Sequence, residues 1–273
     1  ILIPKNIRNT YKDKIDPKIL NAFKISIKNI TNFHKKQLPK GFKILRNGAK
    51  VSSVWKPIDS VGLYIPGGSA VYPSSLIMNV IPAMVAGVKR IVLVTPSKVN
   101  KINPYILALI DELKIKEAYQ IGGPQAIAAL AYGTKSIKAV DKIFGPGNAY
   151  VASAKKQVYG KVGIDLIAGP SEIVVVADKN NNPDWIAADL IAQAEHDEKA
   201  QSILITDDEN FSNKVLSSLK ILIQHLPKKT TINKSLNKFG LIIIVDDIKK
   251  SSDIINFIAP EHLHLQNKSR YSI

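Results

Sequence analysis

The chain has 273 residues and no cysteine, and its 38 lysines and arginines against 22 aspartates and glutamates give a formal net charge of +16. A chain of this length can bury a sizeable core in one large or two small domains. The lack of cysteine excludes a disulfide framework, and no apolar run approaches the roughly 20 residues of a membrane-spanning helix. Because the first residues do not resemble a signal peptide either, we expect a cytoplasmic protein with no membrane partner.

The positive charge by itself favours a nucleic-acid-binding protein. However, nearly all of it is lysine, since only Arg8, Arg46, Arg90 and Arg270 are arginines. The lysines are dispersed, and the sequence has no arginine-rich or aromatic-interleaved block of the kind that contacts phosphates and bases. We therefore expect no nucleic-acid partner.

The predicted elements begin with an amphipathic helix over Pro17–Lys36, where apolar residues recur at helical spacing. Residues 43–55 are predicted to be extended. From residue 61 onward, short apolar strands alternate with helices, which indicates parallel sheet covered on both faces. The predicted strands are Val61–Ile65, Arg90–Thr95, Ala118–Ile121, Lys142–Phe144, Glu172–Ala177, Ser202–Thr206, Leu241–Val245 and His262–Gln266. The predicted helices are Ser74–Ala86, Pro104–Leu113, Pro124–Ala131, Ala149–Val158, Asp184–His196, Asp208–His225 and Ile248–Ile258.

Four glycine-containing turns lie at predicted strand ends. They contain Gly67-Gly68, Gly122-Gly123, Gly145-Pro-Gly-Asn148 and Ala168-Gly-Pro-Ser171. Glycine lets the backbone approach a ligand closely, and the N-terminus of a following helix offers free N–H groups to anions. None of the turns matches Gly-x-Gly-x-x-Gly or the phosphate-loop pattern. A single turn of this kind is more often a tight connection, but four together predict a ligand site.

Two short segments carry residues suited to metal binding and proton transfer. Gln193 and His196 are three residues apart at a predicted helix end, so both can reach one metal ion, and an imidazole with an amide oxygen suits Zn²⁺. Glu261 and His262 place a carboxylate beside an imidazole just after a proline, in a position typical of proton-transfer groups held on a loop. Taken alone, each pair is more often an ordinary surface feature.

Six colinear segments together resemble the histidinol dehydrogenase family, which catalyses the last steps of histidine biosynthesis. They are Val61–Ala70, Gly122–Ala131, Val140–Ala149, Ala168–Glu172, Gln193–His196 and Pro260–Leu263. The resemblance implies an α/β fold of two Rossmann-like units with largely parallel sheets, one inserted in the other. On that pattern residues 64–171 form the inserted unit, and residues 1–63 and 172–273 form the other.

The resemblance also implies roles for particular residues. Tyr64, Gln125 and Asn148 stand where the family contacts NAD, with the Tyr64 ring available for stacking. Ser171 matches a residue that contacts the substrate. Gln193 and His196 match zinc ligands that also touch the substrate. Glu261 and His262 match the acid–base pair, and His262 also contacts the substrate. L-histidinol would be oxidised by NAD to the aldehyde and then to L-histidine. His264 and His225 have no family role, and we interpret them as structural or surface residues.

The resemblance implies two further zinc ligands downstream, an aspartate and a histidine, the histidine coming from the partner subunit of a homodimer. The chain ends eleven residues after His262 and contains neither position, and it does not begin with methionine. We therefore expect it to be truncated at the C-terminus and also at the N-terminus, and to be inactive in this form.

Two alternatives remain at this point, and a third is excluded. The chain can be a non-catalytic remnant that keeps the site residues by descent only. A zinc hydrolase with Glu261 as base would lack the expected His-Glu-x-x-His helix and would leave the glycine turns unexplained. An aldehyde dehydrogenase would need a cysteine nucleophile, which the sequence does not contain.

Overall fold

The computed structural model describes residues 1–8, 11, 14–67, 72–97, 102–167, 169 and 171–266. Its contacts divide the chain into two compact units, Ile1–Ala168 and Gly169–Ile273. Parts of two predicted glycine turns, Gly68, Ala168 and Pro170, lie outside the described residues. None of the helices in the described ranges combines the length and hydropathy that a membrane-crossing helix requires.

The first unit opens with two helices and a hairpin. The helices are α1 (Lys5–Arg8) and α2 (Pro17–Lys36), and the hairpin strands are β1 (Phe42–Arg46) and β2 (Ala49–Ser53). Helix α2 begins as its sequence suggests, because Asp16 accepts a hydrogen bond from the Lys18 N–H and Pro17 occupies the first turn. The hairpin strands pair antiparallel across Asn47-Gly48, a dipeptide typical of tight hairpin turns.

A five-stranded parallel sheet forms the centre of the first unit. Its strands are β3 (Ser60–Tyr64), β4 (Arg90–Thr95), β5 (Glu117–Gln120), β6 (Lys142–Phe144) and β7 (Gly163–Ile164), in the order β5-β4-β3-β6-β7. The connecting helices are α3 (Pro73–Ala86), α4 (Pro104–Glu112), α5 (Gly123–Tyr132) and α6 (Ala149–Val158). One apolar cluster packs α3 and α4 on one face, and a second packs α5 and α6 on the other.

The second unit repeats this plan with four parallel strands. They are β8 (Glu172–Val176), β9 (Gln201–Thr206), β10 (Leu241–Ile244) and β11 (His262–Leu265), in the order β10-β9-β8-β11. The helices are α7 (Pro183–Ala194), α8 (Glu209–Gln224), α9 (Lys229–Phe239) and α10 (Ser251–Ile258), the last preceded by a 3₁₀ turn at Ile248–Lys250. Helices α7, α8 and α9 cover one face, and α10 covers the other. The predicted α/β class with parallel sheets is confirmed in both units.

The unit boundary differs from the expected one at the N-terminal side. Residues 1–63 were expected to belong with residues 172–273, but the contacts place them in the same unit as residues 64–168. The reason is apolar packing: Ile19, Phe23 and Ile27 of α2 pack on the cluster that contains α3 and α4, and Val61 and Leu63 lie inside the five-stranded sheet. The end of the first unit at Ala168 lies close to the expected end at residue 171. Insertion of one unit in the other stays a prediction.

Some elements were missed, and one boundary differs from the prediction. Helix α9 was missed because its apolar residues are sparse and its first turn carries two β-branched threonines. Strand β7 has only two residues, too few for a periodicity. Helix α7 ends at Ala194, two residues before the predicted end, so His196 lies in the turn that follows.

The core of the second unit gives a direct stability test. Leu204 on β9 is fully buried, whereas Leu216 on α8 is 40% exposed. Leu204→Ala should lower the free energy of unfolding by about 2–5 kcal/mol, because it leaves a cavity in a packed core. Leu216→Ala, the matched control, should cost about 1 kcal/mol or less. Urea unfolding followed by circular dichroism measures both, and equal losses would contradict the described core.

Candidate active site

The candidate cofactor residues of the first unit all follow strands at one edge of the five-stranded sheet. Tyr64 is the last residue of β3, Gln125 lies in the first turn of α5 after β5, and Asn148 precedes α6 after β6. Because the strands are parallel, their carboxyl ends meet at the same edge. The chain order reverses between β3 and β6, and ligands of open α/β sheets bind at the carboxyl side of such a reversal.

Tyr64 does not present an open ring for stacking. Its side chain is 4% exposed and packs in the apolar cluster beneath α5 and α6. Its hydroxyl oxygen accepts a hydrogen bond from the Gly123 N–H at 3.2 Å, and its own proton can still be donated. The expected stacking contact is therefore corrected: Tyr64 holds the Gly122-Gly123 turn and can offer a ligand only its hydroxyl group.

Gln125 lies directly above that turn. Gly123 has a φ of +66°, and a Cβ placed on it would lie 2.8 Å from Gln125 Oε1. A side chain at Gly123 would thus be strained and would push the Gln125 amide away. Gln125 is exposed, so its amide can reach a ligand at the carboxyl edge.

Asn148 has a structural bond that limits what it can offer a ligand. Its Oδ1 accepts a hydrogen bond from the Val151 N–H at 3.1 Å, which caps α6. Since the oxygen is used in this way, the Nδ2 group is the part of the amide left for a ligand. Asn148 is thus suited to donate hydrogen bonds to ribose, carbonyl or phosphate oxygens.

The candidate catalytic residues of the second unit lie at the amino edge of its sheet, where the strands begin, whereas those of the first unit lie at a carboxyl edge. In the β8–β11 pairing, His262 is opposite Ile173, which places Glu261 and His262 beside the start of β8 and near Ser171. The Gln201 N–H bonds to the Ser171 carbonyl oxygen at 3.0 Å, so β9 starts at the same edge. This amino edge is not the edge at which the strand-order rule for open α/β sheets expects a ligand.

Gln193 and His196 reach the same amino edge from α7. This helix leaves the carboxyl end of β8 and returns to the start of β9, so its C-terminus lies where the strands begin. The His196 N–H donates to the Gln193 carbonyl oxygen at 3.1 Å, which keeps the two residues in one turn although the helix has ended. Gln193 is 7% exposed and His196 is exposed.

A carboxylate on α7 fixes β11 against that helix, and the sequence analysis did not foresee it. Asp189 Oδ2 lies 3.2 Å from His264 Nδ1 and accepts a hydrogen bond from Gln266 Nε2 at 3.2 Å. A carboxylate can only accept here, so His264 donates from Nδ1. The interpretation of His264 as a structural residue agrees with this bond. The available signal was the two-residue spacing of His262, His264 and Gln266, which places all three on one face of a strand.

The same contact sets how α7 and β11 run past each other. Helix α7 runs antiparallel to β11, so Gln193, one helical turn beyond Asp189, and His262, two residues before His264, both lie on the amino-edge side of the Asp189–His264 contact.

The residues present fit part of a zinc site. Gln193 is 7% exposed as a residue, and its amide makes no hydrogen bond within the described part of the chain, so the amide stays available to a ligand. His196 supplies an imidazole one turn away. No group of three or more histidine, cysteine, aspartate or glutamate side chains that could hold a metal occurs in the described ranges. Two ligands fall short of the four that zinc takes, so the donor set is partial.

Glu261 and His262 are placed for proton transfer. Their side chains are about half exposed, and His262 Nε2 lies 3.8 Å from Glu261 Oε1. This separation is too long for a hydrogen bond, so each side chain can turn towards a different reacting group. A carboxylate and an imidazole at one sheet edge can serve as two separate bases.

Known proteins of one family are similar to this chain in sequence. A family model described as "Histidinol dehydrogenase" matches residues 2–273. A histidinol dehydrogenase of Rhizobium meliloti (strain 1021) is 53% identical over 253 residues, which are 92% of this chain and 58% of that protein. One of Listeria monocytogenes serotype 4b (strain F2365) is 50% identical over 254 residues, 93% of this chain and 60% of that protein.

Solved structures agree with these sequence matches. The crystal structure of histidinol dehydrogenase from Elizabethkingia anophelis matches with a TM-score of 0.92 and 38% identity, covering 100% of this chain and 64% of that one. A propionaldehyde dehydrogenase from Clostridium phytofermentans matches at a TM-score of 0.54 and 13% identity over 98% of this chain and 82% of that one, which shows a shared fold alone.

The chain spans only part of these relatives, since it corresponds to 58% of the Rhizobium protein and 64% of the Elizabethkingia chain. Within that part the match runs from residue 2 to residue 273 and includes every candidate residue of both sheet edges. The chain therefore belongs to the histidinol dehydrogenase family.

Proposed function

We propose that this chain carries the cofactor edge and most of the acid–base edge of a zinc-assisted, NAD-dependent enzyme that oxidises L-histidinol to L-histidine. The observation that carries the proposal is the amino edge of the second sheet, where Ser171, Gln193, His196, Glu261 and His262 come together. The proposed substrate, L-histidinol, is taken from the names of the relatives, whose sequences are about 50% identical to this chain. A homodimer and a cytoplasmic location stay predictions.

In the first unit, three side chains would bind NAD at the carboxyl edge. Asn148 would donate from Nδ2, Tyr64 from its hydroxyl group, and Gln125 would offer its exposed amide. When bound, NAD supplies the hydride acceptor for each of the two oxidations. The glycine turns beneath these side chains let the backbone approach the dinucleotide closely.

In the second unit, the residues would orient the substrate and move its protons. Gln193 and His196 would provide two ligands to zinc, which when bound would hold the imidazole and amino group of the substrate in place. His262 would accept the hydroxyl proton of the alcohol during the first oxidation. Glu261 would remove a proton from the water that adds to the aldehyde, giving the hydrate that the second oxidation converts to the carboxylate.

The substrate assignment has a direct test. A protein of the relatives' full length that carries this chain should reduce NAD when supplied with L-histidinol and Zn²⁺, giving two NADH for each histidinol consumed. Absorbance at the NADH band, with histidine quantified by chromatography, measures both quantities. A folded, zinc-loaded protein that ignores histidinol but oxidises another amino alcohol would overturn the assignment.

Glu261→Gln should separate the two half-reactions in that protein. Only the second oxidation needs an activated water, so its rate should fall by roughly 10²–10⁴-fold while the alcohol step changes far less. Single-turnover measurements started from histidinol and from the aldehyde resolve the steps. Glu198→Gln, which removes an exposed carboxylate paired with Lys234, is the control and should change neither rate. Equal slowing of both steps by Glu261→Gln would show that Glu261 orients His262 instead.

The partial zinc site predicts weak metal binding by the 273-residue chain itself. With Gln193 and His196 as protein ligands, water must fill the remaining positions, so the chain should bind Zn²⁺ weakly and show no turnover. His196→Ala should abolish the binding, whereas His225→Ala, at an exposed histidine after α8, should not change it. Equilibrium dialysis with zinc and an NADH assay measure this. Tight stoichiometric zinc with turnover would mean that other residues complete the site.

A further inference from the structure

A buried lysine lies beneath the proposed cofactor edge and has no part in the chemistry described so far. Lys155 on α6 is 3% exposed, although lysine is rarely fully buried unless paired. It occupies the inward face of the helix with Val151 and Val158. The sequence signal that could have identified Lys155 as buried is its position between Val151 and Val158 in the apolar stripe of α6.

Lys155 and Asp165 together hold both peptide groups of Gly145. The Lys155 ammonium donates to the Gly145 carbonyl oxygen at 3.1 Å and forms an ion pair with Asp165 Oδ1. The other oxygen of Asp165 accepts a hydrogen bond from the Gly145 N–H at 2.8 Å. One ion pair, with a buried lysine and a partly buried aspartate, therefore fixes the N–H and the C=O of a single residue.

That residue is the point at which β6 meets β3. Gly145 has a φ of +120°, and a Cβ on it would overlap the carbonyl oxygen of Tyr64 at the end of β3. The chain then continues through Pro146 and Gly147 to Asn148, the cap of α6. Fixing Gly145 thus fixes the start of the turn that carries Asn148.

Stability alone does not account for such a pair. Removing two charges from water is costly, and well-packed apolar residues in place of a buried ion pair often leave a protein as stable or more stable. An apolar pair cannot bond to the peptide groups of Gly145, however. The feature that the charged pair provides and an apolar pair would not is the fixed position of the turn.

We propose that Lys155 and Asp165 are positioning residues for dinucleotide binding: they hold Gly145 so that the Gly145–Asn148 turn presents the Asn148 amide to NAD. The proposal rests on the proposed function, since it concerns the same cofactor edge. Neither side chain contacts the cofactor, and both act through the turn. Their loss should weaken NAD binding more than it weakens the fold.

The test measures NAD⁺ binding to the 273-residue chain by isothermal titration calorimetry, with urea unfolding of each variant. Asp165→Asn keeps the shape of the side chain but replaces the carboxylate beside Lys155 with a neutral amide. It should raise the Kd for NAD⁺ by roughly 10- to 100-fold, the size of effect seen when supporting hydrogen bonds are removed around metal sites. Hydrogen exchange of residues 145–151 should quicken in the same variant.

A double variant separates positioning from stability. Lys155→Met with Asp165→Leu replaces the pair by apolar side chains, so stability should recover to the level of the unmodified chain while the Kd for NAD⁺ stays raised. Glu117→Gln is the matched control. It breaks the ion pair between Arg90 and Glu117, which lies at the amino ends of β4 and β5 in the same sheet. The hydrogen bonds from Arg90 to Glu117 raise the pKa of the Arg90 guanidinium. This control should lower stability without changing the Kd.

The outcomes distinguish this proposal from the cofactor assignment. If the unmodified chain binds NAD⁺ and the double variant binds it equally tightly, the ion pair is only structural and the proposal is overturned, while the cofactor assignment stands. If Glu117→Gln weakens binding as much as Asp165→Asn, the effect is general loss of stability, which also overturns it. If the unmodified chain does not bind NAD⁺, the cofactor assignment fails, and this proposal fails with it.

Discussion

The direction of the strands is the constraint on which the positions of the candidate residues depend. In the five-stranded and the four-stranded sheet the strands run parallel, so each connection must cross from one edge to the other, and the helices provide these crossings. Loops that follow strands then gather at one edge, and helix ends that precede strands gather at the other. Within each unit this rule alone decides which residues, distant in sequence, become neighbours.

The two units use this rule differently. In the first unit the candidate cofactor residues follow β3, β5 and β6, at the edge where the strand order reverses. In the second unit Glu261 and His262 lie at the start of β11, and Gln193 and His196 lie at the end of α7 and just after it, at the edge where strands begin. The position of these candidate residues at a reversal point agrees with where open α/β sheets in general bind ligands. The amino-edge site depends on details of this chain, above all on the bonds from Asp189 to β11.

Most of the fold could be predicted from the sequence because its strands are short, apolar and bounded by turn residues. Arg90–Thr95 and Lys142–Phe144 are strands with the predicted bounds, and Pro17–Lys36 is the predicted helix. Helix α9 escaped prediction because tertiary contacts stabilise it: buried Ile232 packs against α7 and α8, and Ser235 donates to the Ala200 carbonyl oxygen. The placement of residues 1–63 also depended on long-range packing that local patterns do not encode.

The candidate residues could be selected from the sequence, but their arrangement in space could not. The glycine turns, Gln193 with His196, and Glu261 with His262 stand out by residue type and spacing, and the family resemblance joins them. Local sequence gives no sign that Asp189 bonds to His264, that the Tyr64 ring is covered, or that Lys155 and Asp165 hold Gly145. These facts arise from side chains that meet across elements far apart in sequence.

The central claim is that the amino edge of the second sheet brings the proposed base His262 close to the proposed zinc ligand His196. Paramagnetic Co²⁺ in place of zinc, added to the 273-residue chain with isotope-labelled histidines, tests this claim by nuclear magnetic resonance. The account predicts that the ring signals of His196 and His262 broaden first, while that of His225 stays sharp. Equal broadening of all histidine signals, or broadening of His225 with His262 unaffected, would contradict the account.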